Sequence, residues 1–481
     1  MSTFQLNVDD ITQLIMKETI EVSEMDHLKL INEHIPAAFT IYSSKANKHL
    51  YEKVHTYCTK IVDIVDPWYT PNISDVLCNI INHSMKIEKE YAFLLFDYLI
   101  EKNSLQIRIC MPEFIPFITS YINDVVKNIK INARSVLDKI LKCSGNMDLD
   151  TFIPVVLEGI KNSEVIYDAV ESLASCVFVQ NVEAPALAIT MPILMRGLND
   201  KKTATRRLTC VIIDNMCKLI EHPKEILPFY KTLKHELERC NDIMSDPEAR
   251  KVSTRALNTL KESCAENENA IFHKLPSEFE KMILEECDKK SCKPNERDVE
   301  NLCVLTTNLC NSHYFEMDNW KAIYEKYNMA DVMEPIYNSA KDTFKVKDSI
   351  FEDTEEGKDL YKGEFSLAYG ALTLLNNTHL HLKQNRFYGL LGPNNCGKTT
   401  LMRAISNEQV DGFPKKDELK TVFVEHEIQE IEVGEDDKGF PILNIDLCGI
   451  DWVVHCCNVL YKMEPPVKSE QVEKVMEDIG F

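Results

Sequence analysis

"RFYGLLGPNNCGKTTLMRAIS", residues 386–406, runs from a short apolar stretch through a glycine-bearing loop into an amphipathic segment. Gly392-x4-Gly397-Lys398-Thr399 has the spacing of a phosphate-binding P-loop, and strand before, helix after is the setting such a loop requires. Glycine lets backbone N–H groups turn inward on phosphates, and the helix starting near Lys398 adds its positive end. Lys398 is expected to reach the outer phosphates, Thr399 to offer its hydroxyl to Mg2+, and Thr400 to add a phosphate contact. Pro393, Asn394, Asn395 and Cys396 complete the loop. A glycine turn merely joining strand to helix would not require lysine and threonine at those steps, so ATP and Mg2+ are the expected cofactors.

Upstream of the loop, "GEFSLAYGALTLLNNTHLHLKQN" alternates as strands do, and the acidic run "FEDTEEGKD" reads as a linker. Before it the texture is different. Few of the 14 glycines precede residue 350, and apolar residues recur at spacings of three and four, which predicts helices. Four similar openings, "PEFIPFI", "DTFIPVV", "ITMPILM" and "EILPFYK", each place a proline early in an apolar helix. Pro116, Pro154, Pro192 and Pro228 are separated by 38, 38 and 36 residues, near the roughly 40-residue period of HEAT or armadillo helical pairs. Proline suits a first helical turn because its missing N–H has no intrahelical partner to lose. The expected organisation is a HEAT-repeat array over 1–262, a helical bundle over 263–345, a linker over 346–364 and a nucleotide-binding segment over 365–481. An ordinary helical domain with chance proline spacing is the competing reading.

With 481 residues, 44% hydrophobic and 27% charged, the chain is globular and long enough for several domains. Its formal net charge of -22 argues against wholesale coating of nucleic acid, although a local basic face still binds phosphate. Two clusters offer such a face. "NDKKTATRRL" holds Lys201, Lys202, Arg206 and Arg207, and "KNIKINARSVLDKILK" holds Lys127, Lys130, Arg134 and Lys139. Both are candidate RNA contacts, and both read equally well as solvated helix faces with internal ion pairs.

Seventeen cysteines in a chain with no basic and apolar leader at its start point to a reducing, cytoplasmic setting. The least charged stretches are broken by Glu183 and prolines, so no membrane span is expected. Cys287, Cys292, Cys303, Cys310 and His313 match no paired C-x2-C zinc pattern. Cys303 and Cys310, seven apart, share one apolar helix face and read as core thiols.

The stretch from "GEFSLAYG" through "NEQVDGFP" with the following "TVFVEHEI" resembles the first ATP-binding cassette of the fungal-type translation elongation factor 3 family, which are ABC-F ATPases. "LAITMPILMRGLNDKKTATRRLTCVIIDNMCKLIEHP" and "DPEARKVSTRALNTLK" resemble that family's HEAT domain. The resemblance implies a mostly α fold, HEAT solenoid plus four-helix bundle, followed by an α/β P-loop ATP-binding cassette. It also implies an ATP-dependent elongation factor that binds the ribosome, both rRNA and ribosomal proteins, and helps deacylated tRNA leave the exit site. The aminoacyl-tRNA-delivering elongation factor is a further implied partner. The family's V-E-H step falls on Val424, Glu425 and His426, which puts His426 near the magnesium and the attacking water. Tyr369 is the implied adenine-stacking aromatic, or else a strand-core tyrosine.

Two departures qualify the resemblance. Asn395 stands where the family loop has glycine, and a left-handed backbone there costs an ordinary residue roughly 1–2 kcal/mol, asparagine less. No S-G-G signature follows the loop, and "PILNIDLCG" offers Asp446 without a following glutamate. The cassette is therefore expected to be incomplete and, alone, not competent for turnover. A paralogue acting in termination or recycling, or a nucleotide-sensing HEAT scaffold without turnover, are the alternatives.

Overall fold

The structure is a computed structural model. It describes the chain except residues 1–7, 18–25, 44, 179–180, 221, 265–275, 291–293, 344–357, 370–371, 394–395, 411, 416–417, 425–431, 436–440, 444–446, 461–465 and 480–481. The described residues form two units, 1–419 and 420–481.

The first unit opens with helices α1 (Val8–Lys17), α2 (Ile35–Ser43) and α3 (Tyr51–Ile64) and continues as antiparallel helical pairs. The pairs are α4 (Thr70–His83) with α5 (Lys86–Lys102), α6 (Met111–Thr119) with α7 (Lys127–Leu141), and α8 (Ile153–Lys161) with α9 (Ile166–Ala174). After them come α10 (Ala184–Leu198) with α11 (Thr203–Lys218) and α12 (Leu227–Ile243) with α13 (Pro247–Cys264). First helices pack side by side, α8 on α10 on α12, and second helices do likewise, α9 on α11 on α13. Each pair thus covers an apolar face its neighbour leaves open, the logic of a solenoid. In α11, Thr205, Thr209, Ile212, Ile213, Met216 and Cys217 are buried at helical spacing while Arg207 stays exposed.

Two of the four spaced prolines sit as expected: Pro154 and Pro228 lie in the first turns of α8 and α12. Pro116 and Pro192 do not. They lie inside α6 and α10, whose first turns hold Pro112 and Pro185 instead. An interior proline removes a helical hydrogen bond. In α10 packing overrides that loss, because eleven of its fifteen residues are buried between neighbouring pairs.

The bundle comprises α14 (Pro276–Lys289), α15 (Glu296–Asn311), α16 (Met317–Lys326) and α17 (Ala330–Thr343). It is keyed to the start of the array through polar contacts of α15. Tyr69 Oη donates to Asn301 Oδ1, Asn301 Nδ2 donates to Asp26 Oδ1 at 2.9 Å, and Asn308 Nδ2 donates to the Trp68 carbonyl at 2.7 Å. Lys326 pairs with the buried Asp66 at 2.6 Å. The helix is consequently buried on all sides from Leu302 to Cys310.

A three-stranded antiparallel sheet follows, in the order β1 (Val177–Phe178), β2 (Asp359–Tyr369), β3 (Leu372–Lys383). β1 comes from the turn after α9, pairing Val177 with Tyr369 and Phe178 with Ala368, so the array itself supplies a strand. β2 begins inside the stretch expected as linker, and its pairing with β3 runs from Asp359↔Lys383 to Tyr369↔Leu372. Tyr361, Phe365 and Leu367 of β2 form a small core with Leu401 and Ala404 of α18 (Lys398–Ser406). The second unit contains a hairpin, β4 (Glu432–Glu435) with β5 (Pro441–Leu443), and helices α19 (Gly449–His455) and α20 (Ser469–Asp478). No helix among the described residues is long and apolar enough to cross a membrane.

Candidate nucleotide-binding site

α18 starts where the P-loop spacing predicts. Gly397 caps it in the left-handed region at φ 91°, and the Leu401 N–H donates to the Gly397 carbonyl at 2.9 Å. Only glycine takes that backbone without strain. A Cβ at Gly397 would also lie 2.6 Å from Leu374 Cδ1 on β3, and one at Gly392 would lie 2.7 Å from Cys396 Sγ. At Gly397 the backbone therefore packs directly on β3, with no room for a side chain.

Lys398 Nζ turns back over the loop and donates to the carbonyls of Gly392 and Pro393, each at 2.7 Å. The ammonium already stands over the loop, held by carbonyl oxygens that a phosphate oxygen, fully charged, would outbid. Thr399 is exposed at the first turn of α18 and Thr400 is half-buried. These groups fit a nucleoside triphosphate with magnesium: a glycine-lined cradle, a helix N-terminus, an ammonium and a hydroxyl.

The strand expected under the loop is not formed. Residues 386–393 are irregular, with Phe387 fully exposed and Leu391 94% exposed. β3 ends at Lys383, Asn385 takes a positive φ of 60°, and the chain turns away, tethered by Tyr388 Oη accepting from the Lys383 N–H at 2.7 Å. An apolar strand of this kind is stable only between neighbours that satisfy both edges. None of the described strands pairs with it.

Tyr369 ends β2, and its side chain lies outside the described residues, as do Asn394, Asn395, Glu425, His426 and Asp446. Val424 is 81% exposed in the second unit. The basic clusters divide. Arg206 is committed to the Asp200 carbonyl at 2.5 Å, while Lys201, Lys202 and Arg207 are exposed, Lys202 standing over the Tyr167 ring at 5.3 Å. In the other cluster Lys139 pairs with Asp97 and Glu101, and Arg134 donates to the Ile122 carbonyl at 2.9 Å. Cys287, Cys303 and Cys310 are buried, and burial pushes the Cys303 thiol up to about 12. Cys292 lies outside the described residues, among which no cluster of His, Cys, Asp or Glu is placed to hold a metal.

Sequence reasoning missed two polar nodes. Asp214, with no exposed side-chain surface, accepts from Lys218 and Arg255, each at 2.9 Å, and from Thr259 at 2.7 Å, tying α11 to α13. Glu225 accepts from the Ala184 N–H at 2.7 Å, capping α10 from another repeat, with His313 Nδ1 3.6 Å away. Burial, aided by the charge of Glu183, pushes Glu225 up to about 7 against the Ala184 bond, and burial drives His313 down to about 4. Only the i,i+4 pair Asp214 and Lys218 was visible as a pattern.

Stacked helical pairs joined to a P-loop define a helical-repeat protein with the opening of a nucleotide-binding cassette. Comparison with known families agrees on both halves. Residues 164–270 match the elongation factor 3/GNC1 HEAT repeat family and residues 375–441 match the ABC transporter family. Elongation factor 3 of Phytophthora infestans is 38% identical over 400 residues, 79% of this chain and 38% of that protein. Elongation factor 3 of Candida albicans is 36% identical over 368 residues, 73% of this chain and 35% of that protein. Elongation factor 3A of Saccharomyces cerevisiae is 33% identical over 410 residues, 82% and 39% respectively. The chain is thus a relative of the elongation factor 3 proteins, and it spans under two-fifths of their length.

Proposed function

We propose that this chain is the ribosome-binding and first nucleotide-binding part of an ATP-dependent translation elongation factor that promotes release of deacylated tRNA from the exit site. The observation that carries the reading is the joint presence in one chain of a match to the elongation factor 3/GNC1 HEAT repeat family over 164–270 and a P-loop inside a match to the ABC transporter family over 375–441. The array over 1–262 and the bundle over 263–345 would supply the ribosome contact, with Lys201, Lys202 and Arg207, the three exposed cations of their cluster, and the half-buried Arg206 on rRNA. The aminoacyl-tRNA-delivering factor is a further proposed partner, and the cytoplasm the proposed location.

In the cassette, Gly392 through Thr400 would hold the phosphates, Lys398 stabilising their charge, Thr399 holding Mg2+, and His426 orienting the attacking water. Tyr369 is proposed to stack on the adenine. Bound ATP with Mg2+ would supply the phosphoryl transfer that drives release. The chain's own contribution is positioning: Gly397 sets the turn, β2 and β3 anchor α18, and Lys398 exchanges carbonyl partners for phosphate.

The exposed 386–391 stretch favours a second reading, in which this segment senses nucleotide without turning it over until strands pair on either side of it. Titration of a fluorescent ATP analogue with Mg2+, run beside a phosphate-release assay, tests both. Saturable binding lost in Lys398→Ala supports the site. Turnover by this chain alone would remove the sensing reading, and absence of binding would remove both.

A further inference from the structure

Toward its C-terminal end β2 is buried on both faces: Ser366 is 1% exposed, and Leu367 and Ala368 are fully buried. Leu367 belongs to the small core over α18, whereas Ala368, the next residue, belongs to the core of the helical array. We propose that β1, the strand lent by the array, is a positioning element of the nucleotide site, fixing the end of β2 from which Tyr369 meets the adenine; this rests on the reading of Tyr369 as the adenine-stacking residue.

The register of the sheet leads to this assignment. The ladder between β2 and β3 shifts between Phe365 and Leu367 and again between Leu367 and Ala368. Such irregularities bend a strand and disrupt its pairing where they fall. The β3 ladder therefore does not by itself set the course of the last two residues of β2. Those two residues are held from the other edge, with Phe178 of β1 opposite Ala368 and Val177 opposite Tyr369.

The same part of the array reaches the cassette at a second point. Gln409, just beyond α18, donates to Asp148 Oδ1 at 3.5 Å, and Asp148 is 2% exposed in the turn between α7 and α8. Cys176, immediately before β1, donates from Sγ to the Asp148 carbonyl at 3.4 Å, so the two contact points are tied to each other. The phosphate end is supported differently. Gly397 packs on Leu374 of β3, and β3 lies across β2 from β1 in strand order. Loss of β1 should thus disturb the adenine end and spare the phosphate end.

The test is calorimetric titration of the full chain with ATP and, separately, with inorganic tripolyphosphate, each with Mg2+. Proline has no N–H to give a ladder, so Val177→Pro with Phe178→Pro unpairs β1 whichever of its N–H groups faces β2. This double variant should bind ATP at least fivefold more weakly while tripolyphosphate stays within twofold of the parent. Tyr369→Ala should behave alike. Val125→Pro, at a fully exposed position in the turn before α7, should leave both ligands within twofold. Unchanged ATP affinity in the β1 variant, equal losses of ATP and tripolyphosphate, or an equal loss in Val125→Pro would overturn the proposal. A loss in Tyr369→Ala without one in the β1 variant strikes the role of β1 alone, and unchanged ATP affinity in Tyr369→Ala strikes the adenine reading with it. Retained tripolyphosphate binding shows that the P-loop of each variant is folded.

Discussion

Gly397→Ala isolates what the loop's geometry contributes. At φ 91° an alanine costs about 1–2 kcal/mol in backbone strain. Its Cβ would sit 2.6 Å from Leu374 Cδ1, and moving that leucine off its rotamer adds about 0.5–1.5 kcal/mol. Together, about 1.5–3.5 kcal/mol disfavours the loop conformation, and if nucleotide needs that conformation, affinity falls by about 10- to 300-fold at 1.4 kcal/mol per decade. The Leu374→Ala background removes the contact and leaves the strain. There the same substitution should cost only about 5- to 30-fold, by the backbone term alone. Fluorescent ATP titration of the four proteins at saturating Mg2+ gives both factors. Affinity within threefold of the parent for Gly397→Ala, or equal losses in the two backgrounds, would refute the reasoning.

Asp214→Ala leaves Lys218 and Arg255 without their shared carboxylate; because both cations reach solvent, the loss should fall at the low end for a buried pair, ~3 kcal/mol. It would appear as a lowered thermal midpoint, and an unchanged midpoint would show that the node is dispensable. Asn308→Ala strips the Trp68 carbonyl of its partner at the joint between bundle and array, costing ~1–2 kcal/mol. Amide exchange across 299–310 should quicken while exchange in α11 stays as it was. Glu225 has its folded pKa raised from 4.5 to about 7, so the folded state holds the proton more tightly than the unfolded chain. Its stabilising contribution is full below pH 4.5 and is lost as the pH rises through 7. Glu225→Gln, never charged, should therefore gain on the parent by up to ~3 kcal/mol between pH 4.5 and 8. Parallel stability profiles for the two proteins would contradict that sign.

The helical array was legible because its signal is local. Apolar spacing and first-turn prolines act within single helices, as Pro154 and Pro228 attest. Pro116 and Pro192 misled because packing, which is non-local, permits proline inside α6 and α10. The P-loop was legible for the reason that its chemistry fixes residue types at fixed steps, and Gly397 and Lys398 stand where those steps require. The strand before it failed for the opposite reason: RFYGLL has strand composition, but a strand exists only by pairing, and pairing partners are invisible in a single stretch. The same blindness hid β1, a two-residue strand lent by the array, and the α15 asparagines, whose partners lie more than 200 residues away.

Ribosome binding by the array under control of the P-loop is the central expectation. The most direct measurement is co-sedimentation of the intact protein from its own cells with purified ribosomes, in ATP, in ADP and as the Lys398→Ala variant. The expected result is ribosome binding in every case, with occupancy that differs between ATP and ADP for the parent and not for the variant. Absence from the ribosome pellet in all three conditions would contradict the account.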